Sequence, residues 1–249
     1  MLKVFREIDS QGKSETLKKV KGWCSRIFRD CVVLGIIDND PTRDLPSDSF
    51  KKRKSKHYAT VTSPNDIKDL LNTISKYKEI GTYEVHQALN LGAYLLLRPS
   101  ELTDLLWEEV DFKNKIIRIG KGRMKSSNPH LVPLSSQVLA QFEEIKEYGL
   151  SEKYVFPSSI NRNASINSES LRMALRRLGI PKEKFTPHGF RHMASTRLHE
   201  LGYNTDVIES QLAHKIRGVR GVYNQAQYLE DRKVMMEDWS NYLSNLQKS

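Results

Sequence analysis

The first long pattern in the chain is helical. From Ser14 to Gly35 apolar residues recur three or four apart, at Leu17, Val20, Cys24, Ile27, Phe28, Cys31 and Leu34, before Asn39-Asp40-Pro41 stops the run. One long amphipathic helix is predicted there, while Met1 to Ser10 reads as polar. A single helix cannot bury its own apolar face. The segment therefore reads as the last part of a helical domain that begins before this sequence does. Between Pro46 and His57 no apolar periodicity survives, and the stretch carries Lys51, Lys52, Arg53, Lys54 and Lys56. A domain boundary is predicted in it.

Ser63-Pro64-Asn65-Asp66 supplies an N-cap, a first-turn proline and an acid near the positive end of a helix dipole, and Ile67, Leu70, Leu71 and Ile74 supply its buried stripe. A second helical run, from about Tyr83 to Leu97, leads to Arg98, and Pro99 can open a further helix carrying Leu102, Leu105 and Leu106. Arg98 is thus expected at a junction between helices. Three short β-like pieces follow, roughly Glu109–Phe112, Ile116–Ile119 and His130–Pro133, broken by Lys113-Asn114 and Gly120-Lys121-Gly122. Helical patterns return around Val138–Tyr148, Glu169–Leu178, Gly189–Leu201 and Val207–Leu212. The fold class is mainly α (α+β), with one small antiparallel three-stranded sheet inserted among helices.

With 249 residues and 38% hydrophobic content the chain can form one large domain or two smaller ones. Its 40 Lys and Arg against 30 Asp and Glu leave a formal charge of +10. Such an excess favours a polyanionic partner, because neutralising phosphates releases condensed counterions. Nucleic acid is the first choice and an anionic membrane the second. No apolar run approaches the roughly 18 residues that span a bilayer, so the chain reads as soluble and intracellular. Cys24 and Cys31, seven residues apart, indicate neither a disulfide framework nor a sulfur-ligated zinc site. With the charge in view, the basic stretch before Tyr58 has two open readings: a solvated linker, or a tether along DNA phosphates.

Candidate chemistry gathers around Thr186-Pro187-His188-Gly189-Phe190-Arg191-His192, where His188 and Arg191 are three residues apart and share one side of a helix. Taken singly, an arginine is usually a solvated charge and a histidine a core group or cap. Other parts of the chain shift that balance. In Leu97-Arg98-Pro99-Ser100-Glu101, Glu101 is within reach of Arg98, and two arginines can chelate one phosphate. His214 precedes Tyr223 by nine residues, and Lys125 precedes Pro133 by eight. His192 directly follows Arg191 and is expected on a different helix face.

The set Arg98, Lys125, His188, Arg191, His214 and Tyr223 resembles, in order and spacing, the catalytic domain of tyrosine recombinases, the phage-integrase family, from about Thr60 onward. The likeness is especially to prophage and genomic-island integrases, through Leu97-Arg98-Pro99-Ser100-Glu101-Leu102, Pro129-His130-Leu131-Val132-Pro133-Leu134-Ser135, and Tyr228-Leu229-Glu230-Asp231-Arg232 followed by Trp239. The resemblance implies a partial helical core-binding domain at 1–45, a basic linker at 46–58, and a catalytic domain at 59–249 ending in a nucleophile segment and a tail helix. It implies a DNA-cutting and rejoining enzyme with Tyr223 as nucleophile and His188 as base or phosphate contact. Arg98 and Arg191 would stabilise the transition state, His214 would bond a non-bridging oxygen, and Lys125 would protonate the leaving hydroxyl.

Glu101 would support Arg98, and Lys51, Lys52, Arg53, Lys54, Lys56, Lys121 and Arg123 would bind DNA. No metal or other cofactor is expected. The implied partners are double-stranded attachment-site DNA, a homotetramer on that DNA formed from monomers in solution, and host DNA-bending and directionality factors. The implied location is cytoplasmic, with the nucleoid. Tyr228 remains a rival nucleophile and Lys121 a rival lysine. A tyrosine-type topoisomerase and a prophage remnant that binds DNA without recombining it remain alternative readings. The stripe Val234, Met235, Trp239, Tyr242 and Leu243 either packs on its own domain or, as the resemblance implies, docks on a neighbouring protomer.

Overall fold

The computed structural model describes residues 1–43, 45, 50, 59–120, 122, 129–214 and 228–248. They fall into two compact units, Met1–His57 and Tyr58–Ser249. In the first, α2 spans Ser14–Val33. Of the anticipated stripe, Leu17 is buried and Val20, Cys24, Phe28 and Cys31 are partly so, whereas Ile27 and Leu34 face outward at 60% and 72% exposure. The polar opening of the chain is itself a helix, α1 at Leu2–Ser10, which buries Phe5 in its pairing with α2. Its apolar residues, Leu2, Val4, Phe5 and Ile8, stand among charges in a helix of only nine residues. The chain stop at Asn39-Asp40-Pro41 is tied back onto α2. Asp40 accepts hydrogen bonds from Ser25 Oγ at 2.6 Å and from Thr42 N and Oγ1 at 2.8 and 2.7 Å.

The second unit opens as its sequence signals require. Ser63 Oγ accepts from Asp66 N at 3.1 Å, Pro64 takes the first turn, and α3 (Pro64–Ser75) buries Ile67, Leu70, Leu71 and Ile74. The next helix, α4, runs Tyr83–Leu95, two residues short of expectation, and ends on Leu96 in the left-handed region at φ 58°. Arg98 is held extended at φ −64°, ψ 147°, as the residue before a proline must be, and Pro99 starts the short α5 (Pro99–Thr103).

The sheet has the anticipated three antiparallel strands in the order β1 (Val110–Asp111), β2 (Ile116–Ile119) and β3 (His130–Pro133). Val110 pairs with Ile117, Ile116 with Pro133 and Ile119 with His130. β1 is shorter than read, because Glu109 belongs to a tight turn and its carboxylate accepts from Leu106 N at 3.0 Å. Helices α6 (Ser136–Tyr148), α7 (Ser168–Arg177), α8 (Gly189–Glu200) and α9 (Thr205–Gln211) follow within two residues of the predicted bounds.

The last helix, α10 (Leu229–Lys248), packs against α3, α4, α6, α9 and β3. Met235, Trp239 and Leu243 are fully buried in this unit's own core, and Trp239 Nε1 donates to Ala93 O at 2.9 Å. In the single chain, own-domain packing is therefore what the stripe does, except at Val234, which is 61% exposed.

Trp239→Ala should lower unfolding stability by about 3–5 kcal/mol in urea titrations, since it removes a fully buried indole. Val234→Ala on the same helix should stay within about 0.5 kcal/mol of the parent.

Candidate active site

Two arginines from distant segments converge on one turn. Arg98 sits at the α4–α5 junction, where Glu101, buried three residues on, accepts from Arg98 N at 2.9 Å and from Arg98 Nη1 at 2.6 Å. One carboxylate thus caps α5 and orients the guanidinium. Arg98 Nη2 points at Ala213 O, 3.4 Å away. Arg191, in the first turn of α8 and only 5% exposed, donates through Nη1 to Leu96 O and through Nη2 to Leu212 O at 2.5 Å. Burial, then the neighbouring Arg98 charge, brings its pKa down to about 10, so it stays charged at neutral pH.

His214 closes the site from the other side. Its Nδ1 lies 2.8 Å from Glu209 Oε2 and its Nε2 3.3 Å from Arg191 Nη2. An ionised carboxylate only accepts, so the hydrogen is assigned to Nδ1 and Nε2 of the neutral ring accepts from Arg191. The residue before it, Ala213, is also left-handed, at φ 48°.

Between these groups lies a cleft of about 130 Å³ lined by His188, Arg191, His192, Ser195, Leu212 and His214. It is large enough to admit a phosphate group. His188 is the N-cap of α8 and half-buried. Burial first, and then the charges of Arg191 and Arg98, bring its pKa down to about 4, leaving a neutral ring at pH 7. Behind the cleft, His130 is fully enclosed, and burial together with Arg232, Arg191 and Arg98 brings its pKa down to about 3. Its Nε2 donates to Gln211 O at 3.1 Å.

Arg98, Glu101, His188, Arg191 and His214 are therefore brought together. Lys51, Lys52, Arg53, Lys54, Lys56, Lys121, Arg123, Lys125 and Tyr223 lie outside the described residues. The expectation that His192 points away from the site is overturned. It lies four residues after His188 on α8 and lines the same cleft, as does Ser195 four residues after Arg191. His192 follows His188 by one helical turn, which puts both on one face. Glu209 and His130 were also missed. Glu209 sits five residues before His214, a separation with no ready meaning until α9 ends between them. Among the described residues no group of three or more His, Cys, Asp or Glu is arranged to hold a metal ion, and no helix is long and apolar enough to cross a membrane.

Known proteins share both units. The model of the Phage integrase family matches residues 60–230, and that of the Phage integrase central domain matches residues 1–48. Prophage integrase IntS of Escherichia coli (strain K12) is 31% identical over 245 residues, which is 98% of this chain and 62% of that protein. The chain thus spans less than two thirds of that relative's length. Among solved structures, the Tn1549 transposon integrase in complex with transposon right end DNA has a TM-score of 0.69 at 17% identity, covering 94% of this chain and 85% of that one. The lambda integrase tetramer bound to a Holliday junction has a TM-score of 0.67 at 16% identity, covering 86% and 63%. At these identities the likeness to the two structures is one of fold.

The buried histidines make stability depend on acid. Unfolded, His130 and His188 titrate near 6.5; folded, near 3 and 4. Below about pH 6.5 the unfolded chain therefore binds more protons, and stability falls as pH drops toward 4. Melting curves from pH 7 to 4.5 should show a falling Tm, and His130→Gln should flatten the slope. Gly189→Ala should lower Tm at any pH, because its Cβ would come within 2.7 Å of Ala59 O and 2.9 Å of the Phe185 ring.

Proposed function

The chain belongs to the phage integrase family, and from that premise we propose that it is a site-specific DNA recombinase working through a 3′-phosphotyrosyl intermediate. The observation that carries this reading is the convergence of Arg98 and Arg191 on the Leu212–His214 turn, with His188 and His214 facing the same cleft. Phosphodiester transfer needs stabilisation of the charge growing on the non-bridging oxygens, and preorganised cations in a partly dry site supply it.

In this proposal Tyr223 Oη attacks the scissile phosphorus. A new O–P bond forms, the P–O5′ bond breaks, and the strand is left joined to the enzyme through its 3′ phosphate. A tyrosine of ordinary pKa near 10 is about 0.1% ionised at pH 7, a cost of roughly 4 kcal/mol. His188 serves as the base for the phenolic proton or as a contact to the phosphate, whose negative charge would offset the guanidinium charges that hold its proton affinity down. Arg98 and Arg191 hold the non-bridging oxygens. The phosphate displaces Arg191 from His214 Nε2, and with a proton taken up from solvent Nε2 donates to a non-bridging oxygen while Glu209 accepts from Nδ1–H. Lys125 protonates the leaving 5′ oxygen. Attack by a 5′ hydroxyl from another duplex reverses these steps and reseals the strand, with no metal or high-energy cofactor consumed.

The partner is double-stranded attachment-site DNA, gripped by the helical segment at 1–45, by Lys51, Lys52, Arg53, Lys54 and Lys56 of the linker, and by Lys121 and Arg123. By analogy with the lambda assembly on a Holliday junction, four copies act together on DNA, assembling from monomers with host bending and directionality factors, where the nucleoid lies. The segment 59–249 carries the chemistry.

A nicked suicide substrate should yield a covalent protein–DNA adduct. Tyr223→Phe should abolish it and Tyr228→Phe should not; an adduct that persists in Tyr223→Phe removes this nucleophile. Arg98→Ala or Arg191→Ala should slow adduct formation about 10²- to 10³-fold, the effect of deleting one preorganised charge stabiliser. Relaxation of plasmids lacking any attachment site would instead favour a topoisomerase. With about 6–10 phosphate contacts, binding should weaken some 10³- to 10⁵-fold between 50 and 200 mM salt.

A further inference from the structure

Helix α10 carries a buried cation that packing does not require. Arg232 stands in its first turn at 0% exposure. Its Nε and Nη2 donate to Gln211 Oε1 at 2.9 and 2.8 Å, and Nη2 also reaches Leu131 O on β3. Among the described residues no carboxylate pairs with it. A guanidinium removed from water with only neutral oxygens around it works against stability, and a methionine of similar length would fill the space without that cost.

What Arg232 grips is the turn behind the cleft. Gln211 Nε2 donates to Leu95 O at 3.4 Å, and Gln211 O receives His130 Nε2. The next three residues are Leu212, whose carbonyl holds Arg191, Ala213, whose carbonyl faces Arg98, and His214. Any shift of Gln211 displaces the acceptors of both arginines at once. We infer that Arg232 is a positioning residue for strand cleavage: from α10 it locks Gln211, and through Gln211 the Leu212–His214 turn that sets the phosphate-binding arginines. It thereby ties the helix that follows Tyr223 in sequence to β3 and to the cleft. The inference rests on reading that cleft as the phosphate site.

The full chain carrying Arg232→Met, Arg232→Lys or the pair Arg232→Met/Gln211→Met tests it. Arg232→Met should fold with a Tm at or above the parent's. At saturating DNA its adduct formation should slow by about a hundredfold, the scale of a misplaced catalytic group, with DNA affinity unchanged within about twofold. Arg232→Lys should recover only part of the rate, since one ammonium cannot span Gln211 and Leu131 as the planar fork does. The double variant should be no slower than Arg232→Met, because both changes remove the same grip.

In the free protein, the His214 ring resonances, assigned with His214→Gln, should move in Arg232→Met while those of exposed His199 stay. Parental cleavage rates with unmoved His214 resonances, in Arg232→Met or in the double variant if the single one fails to fold, would overturn the inference. So would a rate loss that merely tracks a loss of Tm across all three. If the parent itself forms no adduct, the recombinase reading falls, and the His214 resonances still decide the role of Arg232.

Discussion

The second unit is organised around a guanidinium that bonds to the main chain. Arg191 donates to Leu96 O at the end of α4 and to Leu212 O just past the end of α9, stapling two chain ends that lie 116 residues apart in sequence. A guanidinium has five donors and no acceptor, so satisfying part of the fork with fixed carbonyls sets the direction of the rest. The side chain is thereby aimed before any anion arrives. Such preorganisation is what electrostatic catalysis depends on, because the field need not be rebuilt as charge develops.

The backbone is bent to make this possible. Leu96 and Ala213 both occupy the left-handed region without being glycine, a conformation worth of order 1–3 kcal/mol each. Leu96 presents its carbonyl to Arg191, and Ala213 presents its own to Arg98. Unfavourable backbone at two points is thus matched to the two cations of the site. Glu101 adds the third constraint, since a single buried carboxylate serves both the α5 cap and the Arg98 side chain.

Most of the fold was legible because its elements carry strong local signals. Ser63-Pro64 announces α3, and the β-like runs announce the three strands in order. Periodicity places α6 to α9 within two residues. Helix α1 is harder to read because it is short, with four apolar residues among charges, and its reason to be helical is Phe5 against α2. At the site, Arg98, Glu101, His188, Arg191 and His214 were found through motif order, and their convergence could not be read from spacing alone. His192 differs in direction from its neighbour Arg191 yet shares a face with His188 one turn earlier, and it is the second relation that brings it to the cleft. Glu209, Gln211 and His130 act through tertiary contacts between α9, β3 and the turn, which no local pattern encodes.

The same crowding of cations has a consequence for engineering. Arg98, Arg191 and Arg232 all hold down the proton affinity of His130, and the first two also that of His188, so the unliganded cleft repels itself. Replacing Arg232 with a neutral residue of similar length relieves that repulsion, whereas Arg191 and Arg98 are held by their own carbonyl and carboxylate partners. A search for heat-tolerant variants of the free protein will therefore enrich changes at Arg232, the same changes that slow strand cleavage. Selection for robustness has to be made on cleavage itself, or it will select against the trait it is meant to preserve.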